Sequence, residues 1–369
     1  MNFLGFIGMF TMERQVEPSP GFIVRPIAAI FGYVIDFLFN IVYAIGPAHS
    51  LGITIILMTI IFRALMMPLS IKSQKSMMRM RELKPELDKI EAKYGKSKDP
   101  EIVKKMNAEK TALIAKNDAN PLKSCFPMLL QMPLFIGLNF IMRQAFLYIS
   151  TLRNVYHELA VAIQQVPGYL DIINPIARPL IPDSIIQNNL EAHRLVQYGG
   201  QTLEQAREQI GDVISLDIPA DLSRVIHLFS AENWAYIQES IPAYYWAVIN
   251  DLNMHRQSIE HFLGLNLVDS SSFSWPTIMV PLLVGVTMLC SSWLMQQRTA
   301  DPNADEKAKL QQRIMLIVMP VFIAAITFGM PVGVGLFWIT SQVFQIAQDI
   351  GLNIKDGVPI RLPFIKKAD

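Results

Sequence analysis

Three stretches of the chain, 124–142, 276–297 and 314–348, contain no acidic or basic residue. As helices rising about 1.5 Å per residue, each is long enough to cross the roughly 30 Å hydrocarbon layer of a bilayer. A chain that is 51% hydrophobic and only 17% charged is too apolar for a soluble protein that merely buries a good core, so a membrane is its expected solvent. The last stretch has room for two spans. Gly329-Met330-Pro331-Val332-Gly333 interrupts it, and two glycines with a proline predict a tight reversal between two short helices. A fourth apolar run, Leu51 to Ser70, is interrupted only by Arg63. The pattern predicts five crossings.

Residues 21–45 are nearly as apolar, but Tyr33, Asp36, Asn40 and Tyr43 recur at three- and four-residue spacing and share one helical face. This predicts an amphipathic helix lying in the membrane interface rather than a sixth span. The first ten residues carry no basic charge before their apolar run and meet Glu13 early, which does not fit a cleavable signal peptide. Cys125 and Cys290 both fall inside predicted spans and read as packing residues, not as a disulfide framework.

The net charge of +1 conceals an asymmetry. Residues 64–123 hold 14 Lys or Arg against 8 acids, whereas 144–275 hold 6 against 14, and all six are arginine. The short connection 298–313 again gathers Arg298, Lys307, Lys309 and Arg313. Basic short loops stay cytoplasmic, so the N-terminus is expected outside and the tail with Lys366 and Lys367 inside.

The resulting layout is an all-α polytopic membrane protein: five transmembrane helices, a cytoplasmic helical hairpin and an extracytoplasmic helical insertion. Its segments are an N-terminal extracytoplasmic part with the interfacial helix (1–49), spans at 50–71, 124–146, 276–297, 313–330 and 331–351, a basic hairpin (72–123), an acidic helical domain (147–275), a cytoplasmic loop (298–312) and a cytoplasmic tail (352–369). Within the hairpin, Met80, Leu83, Leu87, Ile90 and Tyr94 mark one helical stripe and Ile102, Met106 and Leu113 a second. Gly95 stops the first helix and Pro100 restarts the second. The basic surface suits anionic headgroups or ribosomal RNA, although lysines that only enforce topology would look the same. In the acidic domain, turn signals at Pro167, Pro175, Pro179, Pro182, Gly199-Gly200 and Pro219 and a capping-box pattern from Thr202 to Gln205 predict short helices. Trp234, Tyr236, Tyr244, Tyr245 and Trp246 suit either the outer headgroup layer or that domain's own core.

Arg63 carries the functional signal. An arginine near the bilayer centre costs about 2.5–3.5 kcal/mol on insertion scales, so it calls for a wet cavity or a partner. Snorkelling to the inner headgroups is the alternative. Ala64 to Leu69 is still apolar, and the other spans are expected to offer no carboxylate, so the sequence predicts an unpaired, hydrated charge. Polar residues on other spans could line the same cavity: Thr59 nearby, Gln131 and Asn139 on the second, Ser291, Ser292 and Gln296 on the third, Gln342 and Gln345 on the fifth. Each alone is ordinarily interhelical glue. Among the 20 methionines, Met66, Met67, Met279, Met288, Met295, Met315 and Met319 fall where a groove rim accepting varied apolar partners would lie, or where a core needs filling.

These residues resemble the YidC/Oxa/Alb family of membrane-protein insertases. Phe62-Arg63 followed by Met67-Pro68-Leu69 resembles that family's first groove-forming span. Asn120-Pro121-Leu122, Cys125-Phe126-Pro127 and Gln131-Met132-Pro133 resemble the approach to the second. Gly285-Val286-Thr287-Met288, Gln312-Arg313-Ile314-Met315 with Met319-Pro320, and Pro331-Val332-Gly333 continue the likeness through the last three. The resemblance implies a groove open to cytosol and lipid, with Arg63 as its charge, Gln131 as a polar lining residue and Trp338 as an aromatic on the client-facing last span; Asn139, Ser292 and Gln342, polar positions on the other spans, complete the candidate groove set. It also implies nascent membrane proteins and ribosomes as partners, contact with membrane lipids, action alone or beside the Sec translocon, a functional monomer, and residence in a bacterial plasma membrane. Ser292 stands where many relatives have glutamine, and Gln342 where asparagine is common. The acidic domain lengthens a connection that is short in many relatives.

Other functions fit less well. A transporter predicts paired charges or matched broken helices, and the spans offer only Arg63 and the Pro331 reversal. An intramembrane enzyme needs a carboxylate pair, a Ser-His arrangement or metal-binding histidines, and all six histidines fall outside the spans. No phosphate-binding loop is present, so no nucleotide need be consumed, and no cofactor or metal site is expected. A chaperone or assembly scaffold that holds spans without inserting them stays open.

Overall fold

The computed structural model describes residues 24–95, 99–117, 119, 121–181, 215–299, 310 and 314–357. Several features read from the sequence lie outside these: the first ten residues, Pro182, Gly199-Gly200, the Thr202–Gln205 pattern, Lys307, Lys309, Arg313 and the lysines of the tail. The side chains of Cys125, Arg298 and Met315 do so too. The chain forms two compact units, Met1–Thr54 with Gly137–Ser270 and Ile55–Ile136 with Ser271–Asp369. The described residues are almost wholly helical, with one two-residue β-ladder pairing His261 with Asn266 and Phe262 with Leu265.

The first unit is organised by the helix Ser150–Gln164. Its inward stripe of Leu152, Val155, Tyr156, Leu159 and Ile163 recurs at three- and four-residue spacing and is buried against the helices Pro219–Ile226 and Ala243–Glu260. At its centre Arg256 donates to Glu260 at 2.8 Å and through Nε and Nη2 to Asn253 at 3.0 and 2.8 Å. Tyr156 donates to the other Glu260 oxygen at 2.6 Å. The Arg256 guanidinium also lies over the rings of Tyr156 and Trp234. Trp234 is therefore core, whereas Tyr244 is exposed.

Three of the four polar-stripe residues on the Val24–Ile45 helix find protein partners, while Tyr33 stays exposed. Asp36 accepts from the Ser150 backbone N–H at 2.7 Å and from its hydroxyl at 2.8 Å. Asn40 accepts from Thr151 at 2.6 Å, and the Tyr43 hydroxyl meets His255 Nε2 at 2.9 Å. Ile149, which precedes the Ser150–Gln164 helix, makes no side-chain cap, so Asp36 supplies from another helix the anionic acceptor that this N-terminus lacks. Asp36→Ala should cost about 1–2 kcal/mol, read as a lowered denaturation midpoint of the detergent-solubilised protein. An unchanged midpoint would show that the contact contributes nothing. With its polar side so engaged, the same helix leaves Ile30, Phe37, Ile41 and Ile45 exposed, and its 18-residue window Ala28–Ile45 is long and apolar enough to cross a membrane.

In the second unit, the expected boundary near residue 71 is not a helix end. Ser50–Tyr94 is one 45-residue helix that continues through Pro68 and Pro85. The sequence past Ser70 changes from apolar to charged but keeps strong helix formers, so composition shifts while the backbone does not. Gly95 then turns with φ of +61°, and Asp99 caps the helix Pro100–Lys116, which has proline at its first position. Lys93 pairs with Glu109 at 3.0 Å and Lys110 with Glu91, so the two helices run antiparallel.

Met279–Thr299 packs against Val332–Lys355 and against Met319–Thr327, which follows a π-helical turn at Ile314–Val318. The reversal occurs where the glycines and proline predict it: Gly329 has φ of +78° and Pro331 precedes the last helix. Ser271 secures it, accepting from Gly329 N–H at 2.9 Å and donating its own N–H to the Met330 carbonyl at 2.7 Å. Length and apolarity mark Ala28–Ile45, part of Ser50–Tyr94 and Met279–Gln297 as candidate spans, with Leu316–Thr327 as a shorter apolar helix.

Candidate functional site

Arg63 is not a lone charge. Its Nε donates to Ser341 Oγ at 2.5 Å and its Nη1 to Gln345 Oε1 at 3.4 Å. The Gln345 amide donates in turn to Asp349 Oδ1 at 3.0 Å, and Gln74 donates to the same oxygen at 2.8 Å. Gln348 donates to Ser70 at 3.1 Å. The expected unpaired cation is thus corrected: Asp349, one residue beyond the uncharged stretch that ends at 348, is fully buried and within electrostatic range of Arg63.

Periodicity explains how these groups meet. Ser341, Gln345, Asp349 and Asn353 follow one another at four-residue intervals and therefore share one face of Val332–Lys355. Arg63, Ser70 and Gln74, at intervals of seven and four, share one face of Ser50–Tyr94. The two stripes form a polar seam. Asn353 at its end is fully buried, and neither atom of its amide has a hydrogen-bond partner among the described residues. Elsewhere these helices and their neighbours turn apolar side chains outward, among them Leu57, Ile60, Ile61, Leu65, Leu282, Leu283, Val286 and Val343.

The other residues singled out in the sequence are placed as follows. Gln131, Ser292 and Gln342 are half-buried in the second unit and make none of the seam's hydrogen bonds. Gln342 is adjacent to Ser341 but about 100° away around the helix, so its neighbour takes the contact with Arg63. Trp338 stacks on Phe135 with ring centroids 4.8 Å apart. Asn139 belongs to the first unit, where it is buried with its Oδ1 unpaired among the described residues. Thr59 bonds back to the Ile55 carbonyl of its own helix at 2.6 Å. Ser341, Asp349 and Gln74 are not among the residues that the sequence singles out. The four-residue polar period through 341, 345, 349 and 353 is the signal that would have found the first two.

Comparison with known proteins adds what geometry does not. The family described as 60Kd inner membrane protein matches residues 43–177 and 237–356, well over half of the chain. The chain is 23% identical over 324 residues to the "Membrane protein insertase YidC" of Oceanobacillus iheyensis, spanning 88% of this chain and 82% of that protein. Over 146 residues it is 38% identical to "Membrane protein insertase MisCA" of Bacillus subtilis, covering 36% of this chain and 52% of that one. Over 109 residues it is 40% identical to "Membrane protein insertase YidC 1" of Bacillus cereus, covering 29% and 42%. The two more identical matches thus span about half the length of those relatives or less, while the first spans most of its own. The helices of span length and these bacterial relatives together identify a multi-pass, α-helical bacterial membrane protein. With the family match running over 43–177 and 237–356, and Arg63 seated among polar partners inside the matched region, the chain belongs to the 60Kd inner membrane protein family, the YidC/Oxa/Alb membrane-protein insertases.

Proposed function

We propose that this protein inserts and folds integral membrane proteins from the cytoplasmic side, through a hydrophilic groove whose charge is Arg63. The seam of Arg63, Ser341, Gln345, Asp349 and Gln74 is the observation that carries the reading, because it places hydrogen-bonding groups within helices that are apolar on their outer faces. Moving a client's polar segment through hydrocarbon leaves backbone groups unsatisfied, at several kcal/mol each. Polar side chains partway across shorten that path. The helical stretch from Ile314 to Thr327 is only about 21 Å long at 1.5 Å per residue, which favours local thinning of the bilayer. Burial of the client's own apolar helix in lipid supplies the driving force.

In this reading five helices cross the membrane, with the N-terminus outside and the C-terminus inside. The antiparallel helices ending at Tyr94 and beginning at Pro100 form a basic cytoplasmic hairpin that receives nascent chains from ribosomes. Gln131, Ser292 and Gln342 add polar lining, Trp338 meets the client's apolar side, and the protein works alone or beside the Sec translocon. Binding energy, not a chemical reaction, does the work, so the site needs no catalytic residue.

The test reconstitutes the purified protein in liposomes with a single-span client carrying an acidic N-terminal tail, and reads the protease-protected fraction. Arg63→Ala should lower it roughly tenfold, equivalent to about 1.4 kcal/mol. Arg63→Lys should retain part of the activity, and Arg63→Glu should abolish it. Full insertion by the Glu variant would end the electrostatic account. A protein that binds the client and yields no protected product is a holding chaperone instead.

A further inference from the structure

Asp349 is the feature of the seam that a groove built around one cation does not require. Its carboxylate is completely buried and accepts two amide N–H groups at one oxygen, from Gln74 at 2.8 Å and Gln345 at 3.0 Å. Two donors converging on one oxygen suit the ionised carboxylate, which only accepts. Gln345 turns its carbonyl toward the Arg63 guanidinium and its N–H toward Asp349. The amide dipole therefore lies between a cation and an anion with each end facing the charge that favours it, so both hydrogen bonds are charge-assisted. Gln74 belongs to the same helix as Arg63, and Gln345 to the same helix as Asp349. The carboxylate is consequently held at a fixed distance from the guanidinium by both elements at once.

Resting on the insertase reading above, we propose that Asp349 sets the charge selectivity of the groove: its buried carboxylate competes with a client's acidic side chains for Arg63. A client carboxylate approaching Arg63 meets a cation whose field is already partly cancelled from the far side. The native protein therefore draws acidic tails less strongly than an isolated arginine would, and releases them more readily into the next step. In low dielectric a unit charge one side chain away changes such a preference by roughly tenfold. A carboxylate that served only to tie the two helices together would have no effect on which client is preferred.

Two clients separate these roles. They share one apolar helix, and their N-terminal tails differ only by two Asp-to-Asn exchanges. Full-length protein in liposomes inserts each, and the readout is the ratio of protected acidic-tail to neutral-tail client. Asp349→Asn should raise that ratio roughly tenfold, whereas Asp349→Glu, which restores the charge, should stay near the native ratio. Gln345→Glu brings a carboxylate beside the guanidinium and should lower the ratio. An unchanged or lower ratio in Asp349→Asn overturns the proposal. Where that variant fails to accumulate, Gln345→Glu decides, and a ratio at or above the native value overturns it. Native protein that inserts neither client would sink the insertase reading and this proposal together. Native insertion with an unmoved ratio removes only the role of Asp349.

Discussion

Arg256→Ala should unfold the helices packed around Ser150–Gln164 at a markedly lower denaturant concentration, at a cost of about 3–5 kcal/mol. Arg256 and Glu260 are 7% and 1% exposed, so neither charge has water to fall back on. Removing the arginine strands the carboxylate, with only the Tyr156 hydroxyl left from its present partners, and strips Asn253 of two donors. A flat face over which Trp234 and Tyr156 pack disappears as well. The carboxylate of Glu260 sustains the charge on Arg256 against the opposing effect of burial. Burial, and next the charge of Glu260, pushes the Tyr156 hydroxyl well above its ordinary value of 10.0. A group raised in the folded state contributes fully below its unfolded value and loses that contribution as pH climbs through the folded one. The domain should accordingly weaken above about pH 10, and Tyr156→Phe should remove that alkaline loss. Urea titration of the solubilised full chain, followed by tryptophan fluorescence, checks both. An Arg256→Ala midpoint within about 0.5 kcal/mol of native would show that the pair is dispensable.

What could be read from the sequence was mostly what neighbours along the chain decide. Gly95 before Pro100, and Gly329 before Pro331, punctuate helices through their own backbone preferences, and both breaks occur where expected. The stripe of Tyr33, Asp36, Asn40 and Tyr43 was visible because a helix repeats every 3.6 residues. Its cover was not, since Ser150, Thr151 and His255 lie more than a hundred residues away and no local rule couples them. Arg63 stood out by its cost in hydrocarbon. Its partners did not, because Asp349, although inside the expected fifth span 331–351, lies one residue past the uncharged stretch that defines that span. Trp234 shows the same limit. Nothing near it in sequence distinguishes a core ring beneath Arg256 from one resting on headgroups.

These contacts also alter what an arginine in this apolar helix means. A hydrated lone cation would tolerate movement of its helix, since water follows it. A cation bonded to Ser341 at 2.5 Å ties the Ser50–Tyr94 helix to the last one, so its position depends on how that last helix is packed. In the proposed reading, function and helix packing are thereby linked through one side chain.

Gly335→Leu should damage that packing most. A Cβ at Gly335 would lie 2.1 Å from Val280 Cγ1, far inside contact distance, because the Met279–Thr299 and Val332–Lys355 helices cross closely there. Val280 is only 3% exposed and β-branched, so it has little rotamer freedom to yield. Within lipid no hydrophobic drive pulls helices together, and a close crossing rests on van der Waals contact through small residues. Overpacking typically costs about 1–3 kcal/mol, and a leucine belongs at the upper end. Gly335→Ala should cost less, and Val280→Ala should rescue it, with a coupling of at least about 1 kcal/mol in the double-mutant cycle. Ser341 lies six residues further on, about 9 Å along the helix, so a displaced crossing should also draw it from Arg63. Insertion of the acidic-tail client should then fall in Gly335→Leu and recover in Gly335→Ala with Val280→Ala. Additive effects of the two alanines would show that the crossing does not govern where Ser341 sits.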